Sequence, residues 1–325
     1  MSKQRVFSGI QPTGDIHLGN YLGALKNWVR MQSEYDTVYC VVDLHAITTP
    51  MDPAELREAR IRTGKILLAV GIDPEHSMVY YQSDVPQHSE LSWILSTYAS
   101  MGHLGRMTQY KEKADKGGQN LGLFSYPVLM AADIVIHKVH AVPVGDDQTQ
   151  HLEFTRDLVE RFNARHGDVF PVPEQITPDV GARIMSLKDP LAKMSKSDPD
   201  PKSKVLVTDG PDVIRKKIRG AVTDSGRGVE YDVESKAGVS NLLGMLSAFT
   251  DRSIDDLVAE YHELQYGYFK DVVADAVIES LALFHENYNA LSDAEALTVM
   301  AEGAKKALVS AQATIDEVKR VIGLD

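Results

Sequence analysis

The chain has 325 residues, a formal net charge of −12 and one cysteine, Cys40; the length allows two domains with a sizeable core, and the cysteine count excludes a disulfide framework and a cysteine-cluster zinc site. The acidic total argues against a protein that coats nucleic acid non-specifically, while leaving room for a local basic patch. No apolar run approaches a membrane span, and Met1-Ser2-Lys3-Gln4-Arg5 has no signal-peptide character, so a reducing cytoplasm and no membrane are expected.

Val6-Phe7-Ser8-Gly9-Ile10 is a short apolar run that gives way to the turn residues Gln11-Pro12-Thr13-Gly14. Leu18, Leu22, Leu25 and Val29 then recur at helical spacing, which predicts a helix from near Ile16. A strand, a tight turn and a helix N-terminus aim backbone N–H groups at one spot and suit an anion there. Gly9 and Gly14 have P-loop spacing, but Asp15-Ile16 stands where Lys-Ser/Thr is needed, and G-x-G-x-x-G is absent. His17 and Asn20, at i and i+3, face the same way, and both can donate to phosphate oxygens. Gly19 and Gly23 leave a bare strip where a flat base or ribose can approach. The same residues also fit a plain strand–helix turn capped by a histidine.

Thr37 to Val42 is a continuous β-branched and apolar run of the kind buried on both faces of a parallel sheet, and it ends in Asp43-Leu44-His45. Ligands gather just past strand C-termini in such sheets, so His45 is either a ligand contact or a loop-anchoring histidine. Asp52-Pro53 caps a helix to Val70, with Gly71 as its stop. Met78 to Gln82 reads as a strand and Ser89 to Ser100 as a helix. Residues 102–125 are polar, glycine-rich and basic, a long loop with Lys113 within reach of a phosphate. Pro127 is expected to open a helix to Ile136 whose odd residue is Asp133. A carboxylate in that apolar run needs a partner, either internal or a ligand N–H. Ala141 to Val144 is a further strand. Gly145-Asp146-Asp147-Gln148 starts the next helix, and its acids serve either ribose hydroxyls, an ammonium group or the helix dipole.

The alternation βαβα predicts a doubly wound parallel sheet. Far downstream lies Lys193-Met194-Ser195-Lys196-Ser197, two lysines framed by hydroxyls and followed by Asp198-Pro199-Asp200-Pro201. Beyond it, Pro211-Asp212 caps a helix carrying Arg215 to Arg219. Helical patterns then run from Val239 to the end, with signals near Ser253, Asp293 and Ala311. The expected organisation is a Rossmann-like α/β nucleotide-binding domain over 1–200 and an all-helical domain over 201–325.

His17-Leu18-Gly19-Asn20 and Lys193-Met194-Ser195-Lys196-Ser197 together resemble the two signatures of class I aminoacyl-tRNA synthetases. The first departs from the usual His-Ile-Gly-His by ending in Asn20; the second matches in full. Within the class the chain is similar to the bacterial-type tryptophanyl branch over nearly its whole length. Supporting segments include Val41 to Thr48, Met107-Thr108-Gln109, Tyr126 to Asp133, Val142 to Gln148 and Gly181 to Ser186. The resemblance implies activation of L-tryptophan by ATP with Mg²⁺, transfer to tRNA(Trp), and a homodimer. It implies catalytic roles for Lys193, Lys196, Lys113, His17 and Asn20. ATP contacts would come from Gln11, Pro12, Thr13, Gly19, Asn20, Gly145, Asp146, Asp147, Ile184 and residues 193–197. The tryptophan pocket would be lined by Asp133, Tyr126, His45, Met130, Val144, Gln148 and Phe7, with no protein-held metal. The helical domain would read the anticodon, with Arg215 to Arg219, Lys305-Lys306 and Lys319-Arg320 as candidate phosphate contacts. A tyrosine-specific relative, a class I nucleotidyltransferase and a regulatory paralogue are the alternatives.

Overall fold

The computed structural model describes residues 3–107, 120–145, 148–177, 183–196 and 198–325. Among them five strands form one parallel sheet: β1 (Arg5–Ile10), β2 (Asp36–Val41), β3 (Ser77–Tyr81), β4 (Ala141–Pro143) and β5 (Glu174–Ile176), in the order β3-β2-β1-β4-β5. β1 and β2 are in register from Arg5 opposite Asp36 to Ile10 opposite Val41. Thr37 to Val41 of β2 are all buried, the environment that selects an unbroken apolar strand. β5 is an addition to the expected elements. It is a short strand of Glu-Gln-Ile, two of its residues exposed, so it carries no apolar periodicity to read.

The chain divides into two compact units. The first comprises Met1–Thr13, Arg30–Pro178 and Leu291–Asp325 and holds the whole sheet; the second comprises Gly14–Val29 and Asp179–Ala290. This division is not a single cut near residue 200. The last helix, Asp293–Ile322, belongs with the sheet and runs unbroken through Ala311. Its buried stripe is largely small: Ala296, Gly303, Ala304, Ala307 and Ala311. Small side chains let it approach β3 so closely that a Cβ on Gly303 would collide with the Val79 carbonyl. β3 is an edge strand, and a helix laid on it covers backbone that would otherwise invite another chain.

Strand order reverses between β1 and β4, because the chain leaves β1 toward β2 and β3 and later returns to β1's other side. Such a switch point opens a crevice beyond the strand C-termini. Gln11, Pro12 and Thr13 follow β1 there, and Val144 and Gly145 follow β4. His45 lies in the short helix Asp43–Ala46 after β2, and Gln82 directly follows β3.

Asp133 is carried by the helix Leu121–Val135, which begins earlier than Pro127 predicts. The Asn120 side chain accepts from Leu123 N and caps the helix there, leaving Pro127 inside. In the second unit, Leu18–Asn20 leads into a π-helical turn, Tyr21–Leu25, which keeps Leu18, Leu22 and Leu25 buried. Further helices of that unit include Pro211–Arg219, Ala237–Thr250, Ile254–Tyr261 and Tyr266–Ala290. Among the described residues no helix is long and apolar enough to cross a membrane.

Candidate active site

Backbone hydrogen bonds tie the His17 turn to the far end of the lysine loop. Leu18 N donates to Val205 O at 3.0 Å and Val207 N to Ile16 O at 2.9 Å, so His17 and Leu206 form an antiparallel bridge. The loop's near flank is held likewise. Ser186 N donates to Ala192 O at 2.8 Å and Met194 N to Ile184 O at 3.0 Å, with Met185 bridged to Lys193. Lys204 secures the loop's tip: its Nζ donates to Lys196 O at 2.7 Å and Asp198 O at 2.9 Å. Gly14, at φ +63°, leaves room for Lys196; a Cβ there would lie 3.3 Å from the Lys196 Cβ. Two segments distant in sequence thus converge within the second unit.

His17 occupies the N-cap of the first helical turn. Its Nδ1 accepts from Gly19 N at 3.1 Å, and Asn20 Oδ1 accepts from His17 N at 3.3 Å. This is a capping box with imidazole in the place usually taken by a hydroxyl. Burial, reinforced by the charges of Lys196, Lys204 and Lys193, lowers the His17 pKa from 6.5 to about 4. The ring is therefore neutral near pH 7. Because Nδ1 accepts, its proton resides on Nε2, which remains a donor. The capping and phosphate-donor readings of His17 are thus compatible. Burial also lowers the Lys196 pKa to about 8, with Asp15 opposing the shift. Ile184 and Met194 are buried beside the loop, while Lys193 is exposed.

The second constellation is built within the sheet-containing unit. Asp133 is 1% exposed. Its Oδ2 accepts from His45 Nε2 at 2.8 Å; its Oδ1 accepts from Gln82 Nε2 at 2.6 Å and His88 Nδ1 at 2.7 Å. Burial by itself raises this carboxyl's pKa, but the hydrogen bonds it accepts from His45 and His88 outweigh that and bring it to about 2. Asp133 is thus an ionised buried carboxylate with internal partners. A carboxylate offers about four acceptor positions, so Oδ2 has capacity for another donor. Gln82 also accepts from Leu44 N at 3.1 Å, joining the loop after β2 to the loop after β3. Tyr126 bonds His151 Nε2 at 2.8 Å, and its ring stands edge-on to His45 with centroids 6.1 Å apart. Phe7 and Val144 are buried; Met130 and Gln148 are half-buried.

Several residues escaped the sequence reading. Gln82 reads only as the end of a strand, and His88 is an isolated histidine near a helix start. Nothing in local spacing couples either to Asp133. Lys204 lies beyond the prolines that close the signature. In contrast, Lys113, Asp146, Asp147 and Ser197 lie outside the described residues. So do Thr108, Gln109, Gly181 and Ala182 of the supporting segments. Many of the cations proposed to meet phosphates are paired with carboxylates: Arg215 with Asp275 at 2.5 Å, Arg219 with Asp271 at 2.5 Å and Lys217 with Asp209 at 2.6 Å. Lys305 pairs with Glu302 at 2.6 Å and Lys319 with Glu90 at 2.5 Å. Lys217 and Asp209 are largely buried, whereas the other pairs are partly exposed and contribute little.

The model of the family "tRNA synthetases class I (W and Y)" matches residues 1–282. The tryptophan–tRNA ligase of Caldanaerobacter subterraneus subsp. tengcongensis is 48% identical over 322 residues, covering 99% of this chain and 98% of that protein. Among solved structures, the tryptophanyl-tRNA synthetase of Mycoplasma pneumoniae superposes with a TM-score of 0.89 at 31% identity, over 99% of this chain and 98% of the other. That of Campylobacter jejuni, complexed with ADP and tryptophan, gives a TM-score of 0.87 at 35% identity, over 99% and 100%. In sequence and in fold, the chain belongs to the class I tRNA synthetases of the tryptophan and tyrosine group.

Proposed function

We propose that the protein is an ATP-dependent tryptophan–tRNA ligase. The observation that carries this reading is the convergence of the His17 turn and the lysine loop around a buried, neutral imidazole. In the first half-reaction a carboxylate oxygen of tryptophan attacks the α-phosphorus of ATP. A P–O bond forms, the bond to pyrophosphate breaks, and the electron pair leaves with pyrophosphate. In the second, a hydroxyl of the terminal tRNA ribose attacks the acyl carbon and releases AMP.

The nucleophile of the first step is already ionised at pH 7, so no protein base is required. What is required is stabilisation of charge building on the leaving group, by donors and cations fixed in advance. The His17 Nε2–H and Asn20 are the neutral donors in this reading. Lys193 and Lys196 are the cations, and Lys113 is assigned the same role from the resemblance. Approach of a triphosphate restores to Lys196 the proton affinity that burial has lowered. Mg²⁺ is assigned to the nucleotide substrate, because magnesium is commonly held by phosphates and water.

Amino-acid recognition is assigned to the sheet-containing unit. Indole N–H is a donor with no acceptor function, and a buried carboxylate is its natural partner. Tryptophan would donate to Asp133 between Tyr126, His45, Met130, Val144, Gln148 and Phe7. Phenylalanine would leave that carboxylate without its ligand bond, a stronger basis for rejection than apolar fit. Gln11, Pro12, Thr13, Gly19, Gly145, Asp146, Asp147, Ile184, Met194, Ser195 and Ser197 are assigned to ATP. The helices from Pro211 to Ala290 are assigned to the anticodon side of tRNA(Trp), and the working form to a cytoplasmic homodimer. ATP–pyrophosphate exchange with each standard amino acid tests the reading. Exchange with tryptophan alone is expected. Exchange with tyrosine would move the protein to the sister specificity, and none at all would favour a regulatory paralogue.

A further inference from the structure

Asp133 is the last member of a longer chain of hydrogen bonds. Behind it, His88 Nε2 lies 2.9 Å from the Tyr80 hydroxyl, which lies 2.9 Å from His137 Nε2. His137 Nδ1 lies 3.0 Å from Ser310 Oγ on the last helix. Tyr80, His88 and His137 are fully buried and Ser310 is half-buried. The members come from β3, the helix Gln87–Ser96, the turn after Leu121–Val135, and the helix Asp293–Ile322. All lie in the sheet-containing unit.

We propose that Ser310, His137, Tyr80 and His88 form a one-way chain of donors that positions Asp133 and so sets selectivity for a ligand carrying an aromatic N–H. The proposal rests on the assignment of Asp133 to tryptophan and adds residues that act through it. With both imidazoles neutral, proton bookkeeping gives the direction. Asp133 is ionised, so His88 Nδ1 must carry a proton. Burial drives the His137 pKa far down and the Tyr80 phenol far up, so His137 holds one ring proton and Tyr80 keeps its own. One arrangement then satisfies every link with no charged imidazole. The Ser310 O–H donates to His137 Nδ1, His137 Nε2–H to Tyr80, Tyr80 O–H to His88 Nε2, and His88 Nδ1–H to Asp133 Oδ1. Each donor polarises the next in a region of low dielectric. With Gln82 also on Oδ1, that oxygen is filled, and the remaining acceptor capacity of Asp133 is confined to Oδ2.

The test compares tryptophan with its benzothiophene analogue, in which sulfur replaces the indole N–H, in pyrophosphate exchange. Tyr80→Phe keeps the ring and removes the hydroxyl. The preference for tryptophan over the analogue in kcat/KM is expected to fall about fivefold, with the KM for ATP unmoved. Ser310→Ala, at the half-buried end, should reduce the preference by a smaller factor and guards against misfolding of the core variant. A purely structural network would lower kcat/KM for both substrates alike, and that result overturns the proposal. Imidazole ¹⁵N shifts give a second readout: protons on Nδ1 of His88 and Nε2 of His137 are expected, and the opposite tautomer at His137 refutes the stated direction. Asp133→Asn separates the two levels. If it abolishes the preference while Tyr80→Phe does not, the chain is wrong and the Asp133 assignment stands. If Asp133→Asn leaves the preference intact, the Asp133 assignment itself fails.

Discussion

The lysine loop and the Asp133 cluster place charge by opposite means. Around the loop, backbone does the holding: Ile16, Leu18, Ile184, Ser186 and Met194 pair through N–H and C=O groups, and Lys204 ties down carbonyls. Around Asp133, side chains do it, with His45, Gln82 and His88 each contributing a direct bond. The difference fits the tasks proposed for them. Cations that meet a polyphosphate need a framed loop and an ammonium reserved for the substrate. A buried anion needs enough donors to stay ionised out of water, and those donors also decide which of its oxygens is offered to a ligand.

Removing the charge from each assembly should break the two functions separately. Lys196→Ala is expected to slow tryptophan-dependent pyrophosphate exchange by about 10²–10³-fold, the usual loss when a transition-state charge partner is deleted. Tryptophan binding, followed by equilibrium titration, should hardly change. Exchange at the wild-type rate would remove Lys196 from the chemistry.

Asp133→Asn strikes the other assembly. A loss of about tenfold to a hundredfold in kcat/KM for tryptophan is expected, together with weakened rejection of phenylalanine. The variant also carries an acid-stability signature. The carboxyl's pKa in the folded protein is depressed to about 2 from 3.8, so between those values the unfolded chain binds more protons than the folded one. The stability due to this carboxylate is complete above the unfolded value and is lost as pH falls through the folded one. Asparagine does not titrate, so the stability gap between wild type and variant should narrow on acidification. A constant gap would mean that Asp133 is not held as described.

The two assemblies were not equally legible in the sequence. The loop's residues fall in two literal signatures, so His17, Asn20, Lys193 and Lys196 could be named from the chain alone. The Asp133 cluster was legible at its centre, because one acid in an apolar helix must have a partner, and at His45, which the resemblance places in the same pocket. Gln82 and His88 meet it through tertiary packing, and no local periodicity encodes that meeting. The last helix misled for a related reason. Its pattern is helical like that of its neighbours in sequence, while the alanine and glycine stripe that seats it on β3 looks like ordinary helix composition. Patterns along a chain report which face is buried and not what buries it.

A gentler probe of the loop is pH. The Lys196 ammonium, lowered to about 8 by burial, begins to lose its proton at mildly alkaline pH. Since kcat/KM reports ionisations of the free enzyme, kcat/KM for ATP should fall by up to about tenfold per pH unit above that value. Lys196→Arg, always charged, should flatten this limb even if its absolute rate is lower. A wild-type limb that persists unchanged in the arginine variant would assign it to another group.

The smallest expected effect tests the contrast most closely, because it concerns the place where the loop borrows the other assembly's method. Asn241, buried on the helix Ala237–Thr250, accepts from Met185 N at 2.9 Å and donates to Met185 O at 3.0 Å. Its amide thus acts as a further strand edge for the residue bridged to Lys193. Asn241→Ala deletes both bonds and should cost about 1–2 kcal/mol of stability. Were the loop held by its own backbone ladder alone, the KM for ATP would stay put after correction for the folded fraction. With Met185 passing the constraint to Lys193, that KM should rise a few-fold while the KM for tryptophan does not. Equal rises in both would make Asn241 a general packing residue and leave the loop's geometry to its backbone.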